Sequence, residues 1–178
     1  MKKIIIILGF LFIIIYIIFY GIPYPRNTKS IFPDRYLEMA VRRAIEKNDG
    51  IITPEDCLGI TKLELSRVGI DYFRDLEGIQ YFRDLENLQA VGGNLNNISA
   101  LSQLKNLKIL DLEFNKIKDI SPLSEVTSLE ILNINNNHIS DVSSLYFLPN
   151  LKKVYIRKNN IYDKREFENK KDVVFIFE

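Results

Sequence analysis

The sequence predicts an α/β-type repeat solenoid: an N-terminal membrane helix, a small helical cap, then a curved stack of short parallel strands joined by 3₁₀ turns. Three observations predict it. An uncharged apolar run fills residues 4–22, an amphipathic stretch follows Pro33, and from Ile60 onward leucines recur at a fixed interval.

The apolar run follows Lys2 and Lys3 and, as a helix, spans about 28 Å, close to the ~30 Å hydrocarbon core of a bilayer. Tyr16, Tyr20 and Tyr24 lie toward its far end, suited to an interfacial belt, and Pro23 and Pro25 stop it. The run exceeds the usual core of a secretory signal, and Phe19-Tyr20-Gly21 is a poor cleavage site. Residues 1–26 are therefore expected to be an uncleaved transmembrane signal-anchor, with a cleaved signal peptide as the alternative. Lys2 and Lys3 on one side and Arg26 and Lys29 on the other leave the positive-inside count nearly even. N-terminal lysines abutting an apolar run look like an export signal, so the amino terminus is expected in the cytoplasm and the rest outside, in the periplasm or at the cell exterior, as a single-pass protein of the cytoplasmic membrane.

Residues 27–59 form the cap. Asp34 is the expected N-cap of a helix carrying Leu37, Ala40, Val41, Ala44 and Ile45 on one stripe, with Arg42, Arg43, Glu46 and Lys47 on the wet side. Asn48-Asp49-Gly50 is expected to end it, with Gly50 left-handed. Thr53-Pro54-Glu55-Asp56 opens a second short helix, where capping is the expected role of the two acids.

Residues 60–165 carry the repeats. At an offset of 22, Leu107 matches Leu129 and Leu151; Leu110 matches Leu132 and Val154; Leu112 matches Ile134 and Ile156. Asn115, Asn137 and Asn159 recur likewise, as do Ile117, Ile139 and Ile161. This is the L-x-x-L-x-L-x-x-N-x-I pattern of a leucine-rich repeat. An earlier copy contains Leu85, Leu88, Ala90, Leu95, Ile98, Leu101 and Leu104, with Gly93 in place of the asparagine. The first copy, with Ile60, Leu63, Leu65, Ile70, Phe73, Leu76 and Ile79, has a period of 25, read as an extended convex-side turn near the duplicated Tyr-Phe-Arg-Asp-Leu-Glu at positions 72 and 81.

Within each of about five repeats, alternation turns the two L-x-L side chains inward from a short strand. The asparagine amide satisfies backbone groups where the chain leaves the strand, and stacked copies make a ladder of Asn115, Asn137 and Asn159. Asp119-Ile120-Ser121-Pro122-Leu123 and Asp141-Val142-Ser143-Ser144-Leu145 return the chain through 3₁₀ turns. Residues 166–178 read as a closing strand, with Val, Phe and Ile covering the end of the stack.

These residues resemble the internalin-type leucine-rich repeat family over roughly residues 31–165. The likeness rests on Ile31-Phe32-Pro33-Asp34 with Leu37-Glu38, on Ile52-Thr53-Pro54-Glu55-Asp56, on Ile60-Thr61-Lys62-Leu63-Glu64-Leu65-Ser66, and on Asn115-Lys116-Ile117-Lys118-Asp119-Ile120-Ser121-Pro122-Leu123. The resemblance implies a helical cap, a slender curved solenoid and protein recognition on the concave face.

The side chains flanking the inward positions are expected on that face: Lys62, Glu64 and Ser66; Asn87, Gln89 and Val91; Ile109, Asp111 and Glu113; Ile131, Asn133 and Asn135; and Lys153, Tyr155 and Arg157. Tyr and Arg are favoured interface anchors, which singles out Tyr155 and Arg157. A protein partner is expected, with no nucleic acid and no small-molecule substrate. The formal net charge is +1, and beyond Lys3 the remaining 22 basic residues face 23 acids, leaving no electrostatic footprint for nucleic acid.

No cofactor, metal or enzymatic role is expected. Cys57 is the only cysteine, so there is no internal disulfide, and it reads as a packed hydrophobe. His138 is the only histidine; Gly92-Gly93 is no phosphate loop; Asp71, Asp75 and Asp84 lack calcium-site spacing. The leading reading is a membrane-anchored protein-interaction module. The alternative is an assembly subunit of a membrane complex, recognised partly through its transmembrane helix.

Overall fold

A computed structural model describes residues 30–65, 73–161 and 172–177. The expected membrane segment, residues 1–26, lies outside the described residues. Among those described, no helix is long and apolar enough to cross a membrane.

The cap begins with helix α1, Arg35–Ala44. Asp34 caps it as its residue type predicts: one carboxylate oxygen accepts from the N–H groups of Tyr36 (2.8 Å) and Leu37 (3.2 Å). The other accepts from Arg74 N–H at 3.0 Å, tying the cap to the first repeat. Leu37, Ala40 and Val41 are buried, but Ala44 is exposed.

Two expectations for the cap are corrected. Arg42 is not on the wet side; it is 6% exposed. Its guanidinium pairs with Glu38 at 2.7 Å and donates to the carbonyls of Lys47, Asp49 and Gly50, so the loop after the helix closes around a buried charge. Nor does the helix run to Gly50. Glu46 takes the left-handed conformation (φ 57°), while Lys47 N–H bonds Arg42 O and Glu46 N–H bonds Arg43 O. That is a Schellman closure built on a non-glycine residue, with Gly50, also left-handed, four residues beyond.

The second short helix is a single 3₁₀ turn, Pro54–Cys57, with Pro54 at its start. Asp56 accepts from Thr53 N–H at 2.8 Å and from Lys47 Nζ. The Lys47 ammonium and the Thr53 N–H hold the Asp56 carboxyl below its ordinary range; the Thr53 hydroxyl does the same to Glu55. Asp56 caps the turn, as expected.

Among the described residues six strands follow: β1 Lys62–Glu64, β2 Asn87–Gln89, β3 Ile109–Asp111, β4 Ile131–Asn133, β5 Lys153–Tyr155 and β6 Val174–Ile176. They form one parallel sheet in chain order. Its register is the sequence period made spatial. Asn87, Ile109, Ile131 and Lys153 are successive partners, whereas Lys62 pairs with Asn87, an offset of 25. The tail supplies β6, paired to β5 as the closing strand.

Between strands, 3₁₀ turns run over Ile79–Tyr81, Ser99–Gln103, Ser121–Glu125 and Ser143–Leu145. In each, the inward residue's N–H bonds the carbonyl three residues back: Ile79 to Leu76, Leu101 to Ile98, Leu123 to Ile120, Leu145 to Val142. The first turn is therefore of ordinary length, and the expected extension of it is corrected. Leu65 N–H bonds Gln89 O just as Ala90 N–H bonds Asp111 O, which preserves the 25-residue offset there. Asp75 bridges Asn97, an offset of 22. The 25-residue offset at Leu65 is therefore already 22 at Asp75, ahead of the turn.

One continuous core runs through the stack, from Phe32 and Leu37 in the cap through Leu63, Leu88, Leu110 and Leu132 to Val154 and Val173. The cap joins it tightly: Phe32 packs near Phe82, with ring centroids 6.5 Å apart, and lies over Gly78. No repeat can bury its apolar side alone, so every internal repeat depends on two neighbours.

Candidate functional site

With Leu63, Leu88, Leu110, Leu132 and Val154 committed to the core, the strand residues on either side of each point outward. The structure brings these together in two register-matched rows. Lys62, Asn87, Ile109, Ile131 and Lys153 form one; Glu64, Gln89, Asp111, Asn133 and Tyr155 form the other. Lys62, Glu64 and Ile109 are exposed and the others half-buried. Lys62 and Glu64 pair with each other at 2.6 Å, and Lys153 Nζ sits 4.7 Å from the centre of the Tyr155 ring.

Beyond the strand ends the expectation holds only in part. Val91 and Glu113 are half-buried and Arg157 is exposed, but Asn135 is buried. Its Oδ1 accepts from Arg157 N–H at 2.6 Å, so it is structural and presents nothing to a partner. Glu113 accepts from Asn133 Nδ2 (3.2 Å) and Asn136 Nδ2 (3.1 Å), which fixes its carboxylate against the fourth repeat. Ser66 lies outside the described residues. Asn87 Oδ1 is buried without a donor among the described residues.

Beneath the face lies the asparagine ladder. Asn137 donates to the carbonyls of Leu112 (2.9 Å), Ile134 (3.2 Å) and Asn135 (3.1 Å), and accepts from Ile117 N–H (3.0 Å). Asn159 donates to Ile134, Ile156 and Arg157 carbonyls and accepts from Ile139 N–H. Asn115 donates to Ala90 and Leu112 carbonyls and accepts from Leu95 N–H and from Gly93 N–H, serving the turn where glycine replaces the asparagine. Each amide thus stitches its own repeat to the one before it.

Three features escaped sequence reasoning. Asn97, Asp119 and Asp141 each accept the N–H two residues on, opening the 3₁₀ turns at Ser99, Ser121 and Ser143. The Ser143 N–H keeps the Asp141 carboxyl below its ordinary range. Along one edge of the sheet Glu86, Lys108, Glu130 and Lys152 alternate in sign, with Lys108–Glu86 at 2.9 Å and Lys152–Glu130 at 2.5 Å. Finally, Phe114 is 55% exposed and left-handed (φ 59°), in a column whose other members are Gly92, Asn136 and Lys158. Gly92 and Asn136, residue types that favour that conformation, were the available signal.

Cys57 is buried, with its thiol 3.6 Å from Thr53 O, and burial pushes its pKa up to about 12, so it is a packed side chain and not a nucleophile. Among the described residues no His, Cys, Asp or Glu cluster could hold a metal ion.

Parallel three-residue strands, 3₁₀ returns and an asparagine ladder define a leucine-rich repeat solenoid. The family model for leucine-rich repeats in two copies matches residues 127–166. An internalin (InlF) from Listeria monocytogenes is similar, with a TM-score of 0.69 and 28% identity over 80% of this chain and 48% of that one. An internalin C2 (InlC2) from the same organism matches at 26% identity and a TM-score of 0.48, covering 82% of this chain and 84% of that one. The chain thus spans about half the length of InlF. No curated protein matches it. The repeat model and the likeness to InlF support an internalin-type leucine-rich repeat protein.

Proposed function

We propose that this protein is a membrane-anchored interaction module that binds a protein partner on the concave face of its repeats. A leucine-rich repeat domain is in general a protein–protein interaction module, and no catalytic family is among the matches. The observation that carries the reading is the pair of outward rows on five strands, which the core leaves free and the register holds in fixed positions. Tyr155 and Arg157 are its principal anchors. Tyr155 offers a large face already stacked with a cation, and Arg157 is exposed beside it.

The test is a pull-down with the whole protein against its Tyr155→Ala, Arg157→Ala double variant. A captured protein that the double variant loses supports the assignment; one that it retains unchanged refutes it. The apolar run at residues 4–22 supports a single-pass anchor in the cytoplasmic membrane, with the repeats on the extracytoplasmic side. Protease added to intact cells cleaves the repeat domain in that topology; protection in intact cells and cleavage only in lysed ones places it inside.

A further inference from the structure

Phe114 is a poor choice for stability on two counts. Its backbone is left-handed, a conformation that penalises a bulky side chain and suits the Gly92 and Asn136 of neighbouring repeats. Its ring is also more than half exposed, contributing little to the core. The local fold does not call for phenylalanine here, since the same ladder of bonds, Gly92 N–H to Glu113 O, Phe114 N–H to Asn135 O and Asn136 N–H to Arg157 O, runs through all of these residue types.

The two carboxylates near it are hydrogen-bonded to amides, but they have no ion-pair partner among the described residues. None of the six ion pairs among the described residues includes Asp111 or Glu113, and the register-matched positions of the adjoining repeats are neutral: Gln89 and Val91 on one side, Asn133 and the buried Asn135 on the other. Lys153 and Arg157 stand two strands away, about 10 Å at the usual strand spacing, where salt screens them. An exposed aromatic beside two unneutralised carboxylates is complementary to an apolar segment that carries a cation.

We propose that Phe114 anchors a contact that, with Asp111 and Glu113, takes an apolar, lysine- or arginine-bearing segment of a partner protein. This rests on the concave-face reading and extends it to the edge where the strands end. It also assigns the partner's chemistry at the third repeat, apart from whatever Tyr155 and Arg157 touch.

The test uses the full chain in phosphatidylcholine nanodiscs and two fluorescent peptides that share a Leu-Phe core, one flanked by lysines and one by glutamates. Fluorescence anisotropy should show the lysine-flanked peptide binding at least about tenfold tighter, a margin of roughly 1.4 kcal/mol. Phe114→Asn should abolish that binding, and Asp111→Asn with Glu113→Gln should abolish the preference. Phe114→Asn should also raise the urea midpoint, since asparagine suits the left-handed backbone. Equal binding of the two peptides, binding that survives Phe114→Asn, or a lowered midpoint overturns the proposal. If the protein partner survives Phe114→Asn but not the Tyr155 and Arg157 double variant, the concave-face reading stands and this one falls.

Discussion

Replacing Asn137 with alanine removes a side chain that is 3% exposed and makes four hydrogen bonds, three to carbonyls and one from the Ile117 N–H. The Ile117 N–H donates to Asn137 Oδ1, and an orphaned buried donor costs about 1–3 kcal/mol. The three carbonyls lose one partner each, a smaller penalty because each retains a second lone pair. Together these give a loss of about 2–4 kcal/mol. With a urea slope of about 1–3 kcal/mol per molar, the midpoint falls by roughly 1–2 M. Equilibrium urea unfolding followed by circular dichroism reads this directly. Asn159→Ala is the internal comparison: its amide makes the same pattern of bonds but is only half-buried, where water can replace them, so about 1 kcal/mol is expected. A loss below about 1 kcal/mol at Asn137, or an equal loss at Asn159, refutes the argument that burial makes the ladder costly to break.

Gly78→Ala should destabilise by about 2–4 kcal/mol, because Gly78 has φ 105° and an added Cβ would lie 2.3 Å from the Phe32 ring and 2.7 Å from Ile31 O; thermal unfolding checks it. Asp34→Ala should cost about 1–2 kcal/mol, through the lost helix cap and the lost tie to Arg74, with cap amides exchanging faster than those of β3 and β4. Acid should weaken the fold in a defined direction. Glu55, Asp56, Glu130 and Asp141 all have folded-state pKa values below their unfolded ones. Their contribution is therefore present above about pH 4 and lost as pH falls through the folded values, so urea midpoints should hold from pH 7 to 5 and drop below 4.

The solenoid was legible because its period is carried by buried aliphatics: Leu110, Leu132 and Val154 had to stack once their spacing was seen. Asp34 and Asn137 were legible for a similar reason, since each acts on backbone a few residues away or one repeat back. Arg42 was not, because its partners are carbonyls five to eight residues on, in a loop whose closure no local pattern encodes. Asn135 was misplaced by extending strand alternation past Asn133, where the strand ends and the side chain turns in. The extra triplet was drawn toward the duplicated segment, whereas the Asp75–Asn97 bridge shows the 22-residue register already restored there. Phe114 was invisible for a different reason: a phenylalanine does not announce a left-handed backbone, and only its repeat mates do.

The alternating ladder of Glu86, Lys108, Glu130 and Lys152 bears on how such an array can change in length. Removing the third or the fourth repeat whole would keep the recurring leucine and asparagine pattern yet set Glu86 against Glu130, or Lys108 against Lys152. Removing or adding two would keep opposite charges adjacent. Exposed pairs are worth about 0–1 kcal/mol each, so the ladder does not forbid an odd change. It makes one unfavourable by a comparable amount while leaving even changes neutral. The two-repeat block, and not the single repeat, is thus the unit in which this stack is most readily shortened or extended.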